Sequence, residues 1–309
     1  MVSQIAPSMT PTRKHFSESK LLIAGTARDI AHCIDQEIRH LLSCTKQFQS
    51  TQVLIIESDS SDKTVEHLHN LKTEIKDFDF ISMGQLGLTI SLRTQRLSIC
   101  RNEIVKAVRE DPKYQNIDYV LLADLDGVNT LLTPEKIAQC WSVQEDWSVI
   151  CANQLNYYYD IWALRHPFWN PHNYLEQYQQ LEPWMGPHQA HQIAIATKQI
   201  QLPTNQGLIP VDSAFGGLAI YTKQAYISGM YDYSHTAIED TEHIAFHQCL
   251  TKNGFKIYIN SALINCAEPK PNPGHKIKKR YILRSFRLIG NTVLGKKKFD
   301  KYLAILKSL

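Results

Sequence analysis

Asp124 and Asp126 flank Leu125 at the end of the apolar run Tyr119–Ala123. Two carboxylates two residues apart at a strand end can both turn toward one hard cation. Mg²⁺ or Mn²⁺ prefers oxygen ligands and leaves positions for phosphate oxygens. The plainer reading is that one aspartate caps a turn and the other is solvated. A second acidic segment, Glu57-Ser58-Asp59-Ser60-Ser61-Asp62-Lys63-Thr64, follows the apolar run Val53–Ile56. It reads either as a capped strand-to-helix loop or as a place where Glu57 accepts hydrogen bonds from a base or ribose. Arg93, Arg96 and Arg101, with Asn102 beside the last, fall on or near one helix start. Arginine suits bidentate phosphate contacts, although as isolated residues these are equally surface charges. Gly216-Gly217 lies in an apolar stretch, and two glycines weaken a strand unless a backbone or ligand comes close. Glu239-Asp240 opens a helix that also carries Glu242, His243 and His247. One of that acidic pair can act as a general base, or both can simply favour the helix dipole. The two histidines are four apart and can share a face with a metal, but no HExxH is present. His275 is a third candidate metal ligand, or else a surface histidine.

The elements that must position these residues alternate in the α/β manner. Strands are predicted at Leu21–Ala24, Val53–Ile56, Phe80–Met83, Tyr119–Ala123, Val149–Ala152, Ala214–Tyr221 (containing the two glycines) and Phe255–Ile259. Asp29 is predicted to cap a helix with apolar positions at Ile30, Ile34, Ile38, Leu41 and Leu42, a spacing that fits one helical face. Further helices are predicted from near Asp62, over 95–110, after Thr133 with Pro134 at the first position, and over 239–252. Residues 157–210 are rich in Tyr, Trp, His, Gln and Pro with little periodicity. They read as a long functional loop region.

Composition bounds the answer. A chain of 309 residues with 43% apolar and 20% charged residues is ordinary globular material and can bury a sizeable core. No run approaches the roughly 20 apolar residues of a membrane span. Residues 1–20 read as a polar, flexible leader with no secretory h-region. The seven scattered cysteines form no CxxC pair, which points to reduced thiols and a cytoplasmic protein. The net charge of +3 conceals a tail, 276–309, of net +10 on a body of net −7.

Taken in order, these motifs resemble a GT-A-type glycosyltransferase of the family 2 kind. Glu57–Thr64 resembles that family's strand-ending acidic segment, with Ser58 in place of its second acid. Arg101-Asn102 resembles its Ala-Arg-Asn segment, with Cys100 at the alanine. Asp124-Leu125-Asp126 resembles the Asp-x-Asp (DXD) metal motif, Gly216-Gly217 the glycine loop facing donor and acceptor, and Glu239-Asp240 the later acidic pair. His275 resembles the histidine that completes the metal shell in many such enzymes. The acidic segment, Arg101-Asn102 and Glu242-His243 are also similar to capsule-associated mannosyltransferase-like proteins.

The resemblance covers about 21–275 and implies an α/β, GT-A (nucleotide-diphospho-sugar transferase) fold with a mostly parallel central sheet flanked by helices. It implies metal-dependent sugar transfer from a UDP- or GDP-sugar to a glycan or lipid-linked acceptor, in surface polysaccharide or glycoconjugate biosynthesis. The implied donor contacts are Ala24, Thr26, Arg28, Glu57, Arg101, Asp124, Gly216 and Gly217. Asp124, Asp126 and His275 would hold Mn²⁺ or Mg²⁺. Asp240 or Glu239 would take the acceptor proton in an inverting enzyme, or orient the acceptor in a retaining one. Tyr159 and Trp162, in the run Tyr157-Tyr158-Tyr159-Asp160-Ile161-Trp162, would offer aromatic faces to the acceptor sugar.

Two rivals remain at this stage. Asp124-Leu125-Asp126-Gly127 also resembles the nucleophile loop of haloacid-dehalogenase-type phosphatases, with Asp124 attacking phosphorus, although Val128 stands where that family has Thr or Ser. A GT-A-shaped module that binds nucleotide or glycan without turnover is the other. The basic tail interleaves Ile277, Tyr281, Ile282, Leu283, Phe286, Leu288 and Ile289 with Lys and Arg. It reads either as a helix lying on an anionic membrane surface at the cytoplasmic face, or as a helix packed on the body. A nucleic-acid partner is not expected, because the body is acidic and no binding motif accompanies the tail.

Overall fold

The computed structural model describes residues 13–232 and 241–267. The expectations for Glu239, Asp240, His275, residues 1–12 and the basic tail lie outside the described residues. Among the described residues, eight strands form one sheet: β1 (Lys20–Ala27), β2 (Ser50–Glu57), β3 (Phe78–Ser82), β4 (Tyr119–Ala123), β5 (Val149–Gln154), β6 (Leu208–Val211), β7 (Leu218–Thr222) and β8 (Ile257–Cys266). Their order is β3-β2-β1-β4-β7-β5-β8-β6. β1 pairs in parallel with β2 and β4, β2 with β3, and β5 with β8. β7 is antiparallel to both β4 and β5, and β6 to β8. The expected class, an α/β protein with a mostly parallel central sheet flanked by helices, is what the chain adopts.

The apolar runs form strands because both faces of the sheet are covered. Side chains alternate between faces along each strand. Leu22, Ala24, Leu54, Ile56, Val120 and Leu122 face one core, which they share with Ile104, Val105 and Val108 of α3 (Arg93–Glu110). Leu21, Ile23, Val53, Ile55 and Leu121 face the other, against Ile34, Ile38 and Leu41 of α1 (Ile34–Cys44) and Leu68 and Leu71 of α2 (Thr64–Glu74). Strands buried on both faces read as continuous apolar runs, which is why these were legible. α4 (Pro134–Ala138) starts as expected, with Thr133 accepting from the Lys136 N–H at 3.4 Å. No helix among the described residues is long and apolar enough to cross a membrane.

Several expectations need correction. Asp29 does not cap α1, which starts at Ile34 after Cys33. At φ 51°, its Oδ1 instead accepts from the Ser61 N–H at 2.7 Å, stitching the loops after β1 and β2 together. Residues 13–19, read as leader, are anchored. Phe16 packs on Phe48 and Trp141, and the Arg13 guanidinium lies 4.3 Å from the centre of the Trp147 ring. The region 157–210 is not one long loop. It holds α5 (Tyr174–Ala194), kinked at Gly186 between Pro183 and Pro187, and then β6. The low periodicity has a physical cause, since the kink breaks the helical repeat. Two further α-helices among the described residues are α6 (Lys223–Ser228) and α7 (Glu242–Lys252).

Candidate functional site

The chain runs from β1 outward to β2 and β3 on one side, then crosses back to β4 on the other side of β1. Ligands of open α/β sheets bind at such a switch point, outside the carboxyl ends of the strands. A cleft of about 300 Å³ lies there. Thr26, Ala27 and Arg28 line it from the end of β1, and Ser58 and Asp59 from the end of β2. Arg93, Arg96 and Arg101 come from α3, and Asp124, Leu125 and Asp126 from the end of β4. The loops after β1, β2 and β4 therefore meet at one place, two of them carrying the acidic motifs at Glu57–Thr64 and Asp124–Asp126.

The carboxylates are unequal. Asp126 is exposed. Burial pushes the Asp124 carboxyl up to about 7, opposed by Arg101 and aided by Asp126 and Asp160. Its side chain still keeps 37% exposure, so solvent offsets part of that push. Arg101 is nearly buried. Its guanidinium pairs with Glu242 at the start of α7 and lies 3.6 Å from Asp124 Oδ1. It also sits 5.6 Å from the centre of the Phe215 ring and 5.8 Å from that of Tyr231. Arg96 is a structural clamp. It pairs with Asp59 at 3.3 Å and donates to the Ile90 and Ser91 carbonyls at 2.6 and 2.9 Å. Arg93 is exposed and Arg28 lies 3.6 Å from Asp29, so these two present charge to the cleft.

Gly216-Gly217 is not in a strand. The pair forms the turn before β7, with φ of 70° and 81°. A Cβ on Gly216 would stand 2.6 Å from the Ala152 carbonyl oxygen. One on Gly217 would stand 2.9 Å from the Tyr159 hydroxyl. A buried amide network fixes this turn. The Gly216 carbonyl accepts from Gln154 Nε2 at 2.9 Å and Asn265 Nδ2 at 2.8 Å. Asn265 also donates to Asn129 Oδ1 at 3.2 Å, and Asn129 in turn donates to Glu37 and to the Asp124 carbonyl. The Gly216 N–H donates to Asp160 Oδ2 at 3.0 Å, and the Asp124 N–H donates to the Gly217 carbonyl at 2.9 Å. The turn and the carboxylate pair are thus one bonded unit. Burial, and the nearness of Asp126 after the opposing Asn129 and His40, also raise the Glu37 carboxyl.

Other predicted residues lie elsewhere. Ala24 is buried in mid-β1, paired with Leu54 and Leu122, away from the cleft wall. Glu57 is buried and used locally, accepting from the Ser60 N–H at 3.0 Å and from the Ser82 hydroxyl. Its neighbours Ser58 and Asp59 reach the cleft instead. Trp162 is 47% exposed and stacks on Tyr174 at 5.2 Å and 9°. His243 and His247 do not form a metal face. His247 is fully buried between the Ser213 hydroxyl (2.8 Å) and the Tyr221 hydroxyl (3.0 Å), and burial pulls it down to about 3. His243 stacks on Phe215 at 4.0 Å. No group of three or more His, Cys, Asp or Glu among the described residues is arranged to hold a metal. Sequence reasoning gave no role to Asp160, Asn129, Gln154 or Asn265, and it named Glu242 without its Arg101 partner. Buried amides at the carboxyl ends of apolar strands, such as Asn153-Gln154, were the available signal.

No protein-family model matches the chain, and no curated protein matches it in sequence. Among solved structures it is similar to S. aureus TarS 1–349, at 9% identity and a TM-score of 0.46 over 79% of this chain and 59% of that one. It is similar to the same TarS fragment in complex with UDP-GlcNAc, at 10% identity and a TM-score of 0.47 over 88% of this chain and 65% of that one. It is also similar to a mannosyltransferase, PcManGT from Pyrobaculum calidifontis, in complex with GDP-Man and Mn²⁺, at 11% identity and a TM-score of 0.47 over 87% of this chain and 61% of that one. The chain therefore spans under two thirds of the length of these structures.

Proposed function

We propose that the chain is a GT-A-type glycosyltransferase that moves a sugar from a nucleoside-diphosphate sugar to an acceptor hydroxyl. The observation that supports this most is the meeting, at the switch point of the sheet, of an open carboxylate pair with cationic side chains. Asp124 and Asp126 offer hard oxygen donors in a cleft open to solvent, a set that fits Mg²⁺ or Mn²⁺. A divalent cation there would neutralise charge developing on the departing nucleoside diphosphate. Thr26 and Ser58 line the wall proposed for the base and ribose. Arg28 and Arg93 supply charge for the diphosphate, and Arg101 sits behind Asp124. The Gly216-Gly217 turn, packed against Ala152 and Tyr159, accepts the Asp124 N–H and so fixes the backbone of the carboxylate pair. Asp240 or Glu239, just ahead of α7, is the proposed acceptor of the hydroxyl proton. Trp162 gives an exposed ring face to a glycan or lipid-linked acceptor of surface polysaccharide synthesis.

The test is release of nucleoside diphosphate from a panel of UDP-, GDP- and other sugar nucleotides, with Mn²⁺, Mg²⁺ or EDTA, beside Asp126→Asn. Metal-dependent release from one donor, lost in the variant, supports the proposal and names the donor. Folded protein that neither binds nor cleaves any donor refutes it and turns attention to phosphate esters and a covalent phosphate on Asp124. Binding without release in the presence of candidate acceptors indicates a non-catalytic module.

A further inference from the structure

Arg101 brings a full positive charge within 3.6 Å of Asp124, the carboxylate proposed above for the cation. Taken alone, that pairing opposes cation binding, because a guanidinium and a divalent ion compete for the same oxygens. The structure supplies a second anion. Glu242, itself buried, pairs with the other arm of the same guanidinium. The Phe215 and Tyr231 rings lie on the guanidinium and limit its hydration, so its charge must be met by these two carboxylates. Glu242 also opens α7, two residues after Asp240. Sequence position thus ties the carboxylate end of the donor cleft to the segment proposed for the acid–base step.

We propose that Glu242 is a positioning residue that draws the charge of Arg101 away from Asp124, so that the Asp124 carboxylate can exchange its Arg101 contact for a divalent cation. This rests on the glycosyltransferase reading of the same cleft. The direct consequence is a sign. Neutralising Glu242 weakens cation binding even though Glu242 is not a ligand, because Arg101 then turns its whole charge on Asp124. Removing Arg101 and Glu242 together relieves the competition and restores binding.

The experiment measures Mn²⁺ affinity by the loss of the free-ion EPR signal. It uses the full chain at pH 8, with and without UDP or GDP. Glu242→Gln should weaken the Mn²⁺ Kd about tenfold. The double variant Glu242→Met with Arg101→Met should return it to within threefold of wild type or better. A purely structural role for Glu242 would lower the melting temperature and leave the Kd of the folded fraction unchanged. Folded Glu242→Gln with a Kd within twofold of wild type overturns the proposal. If that variant does not fold, the double variant decides: a Kd weaker than wild type by more than threefold overturns it equally. Wild-type protein that binds no Mn²⁺ with either nucleotide refutes the function reading and this inference together, whereas wild-type binding unmoved by Glu242→Gln refutes the inference alone.

Discussion

Gly216→Ala is the sharpest test of the turn that is hydrogen-bonded to the Asp124 backbone. Two separable costs apply. The backbone sits at φ 70°, where an L side chain is disfavoured by roughly 1–2 kcal/mol. The new Cβ would also stand 2.6 Å from the Ala152 carbonyl oxygen and 2.9 Å from Gln154 Nε2. An ordinary C···O contact is about 3.3 Å, so the backbone contact is about 0.7 Å too close and cannot be relieved by a rotamer change. Overpacking of this kind costs about 1–3 kcal/mol, for a total near 2–5 kcal/mol. Gly207→Ala is the control. It shares a φ of 71° but has nothing within 4 Å of its Cβ, so it should lose only the conformational part. Urea denaturation of both variants isolates the steric cost by difference. The turn also accepts the Asp124 N–H, so its displacement moves the carboxylate pair. Nucleoside diphosphate release should fall about 100-fold in Gly216→Ala, the usual consequence of an ångström-scale misplacement, and stay near wild type in Gly207→Ala. Equal stability losses in the two variants, with equal activity, would refute the reasoning.

Three further outcomes follow from the same geometry. Burial raises the Asp124 carboxyl to about 7, less the part that solvent offsets at its exposed side, so protons compete with a cation for it as pH falls. The Mn²⁺ Kd should therefore weaken steadily as pH falls from 7 to 5, and titration calorimetry in buffers of different ionisation enthalpy should detect the released proton. His247, lowered to about 3 by burial, stays neutral in the fold while the unfolded chain takes a proton below about 6.5. Its contribution is complete above pH 6.5 and is lost as pH falls toward 3, with a ceiling of about 5 kcal/mol. His247→Gln should be less stable at pH 7 and show a flatter acid limb in denaturation curves; parallel limbs would count against this account. Arg93→Ala should raise the donor KM about tenfold, in a salt-dependent way, with stability within about 0.5 kcal/mol of wild type. Arg96→Ala should instead destabilise, since it uncouples Asp59 from the Ile90 and Ser91 carbonyls.

What could be read in the sequence was what depends on local pattern. β1, β2 and β4 are continuous apolar runs because both their faces are buried, and Asp124 and Asp126 follow β4 directly, so strand and motif were found together. Thr133-Pro134 announced α4 for the same local reason. The misses are cases where distant contacts decide. Asp29 has the composition of a helix cap, yet Ser61, 32 positions away, takes its carboxylate. Glu57 occupies the expected strand-end position, but Ser60 and Ser82 use both of its oxygens. Gly216-Gly217 reads as strand because its neighbours are apolar, whereas the positive φ at both positions makes it a turn. Asn129, Gln154 and Asn265 belong to three separate segments, and only the folded sheet shows that their amides form one network. Glu242 is spaced like an ordinary first-turn acid, and nothing local announces that it faces Arg101.

The placement of β7 between β4 and β5 governs how the chain can come together during synthesis. β1 to β4 complete a four-stranded parallel unit by Ala123, but β4 is then an open edge whose partner begins at Leu218, about 95 residues later. At roughly 5–20 residues per second, a ribosome leaves that edge unpaired for about 5–20 s. The edge is Tyr-Val-Leu-Leu-Ala, uncharged and apolar, the type of strand that recruits foreign chains. β5 emerges during the wait, yet its own partners are β7 and β8, so it cannot shield β4 in the native register. The arrangement that gathers the carboxylates and the glycine turn at one end of the sheet thus leaves the nascent chain with an unpaired apolar edge until β7 docks, and a chain truncated before Leu218 should aggregate through β4.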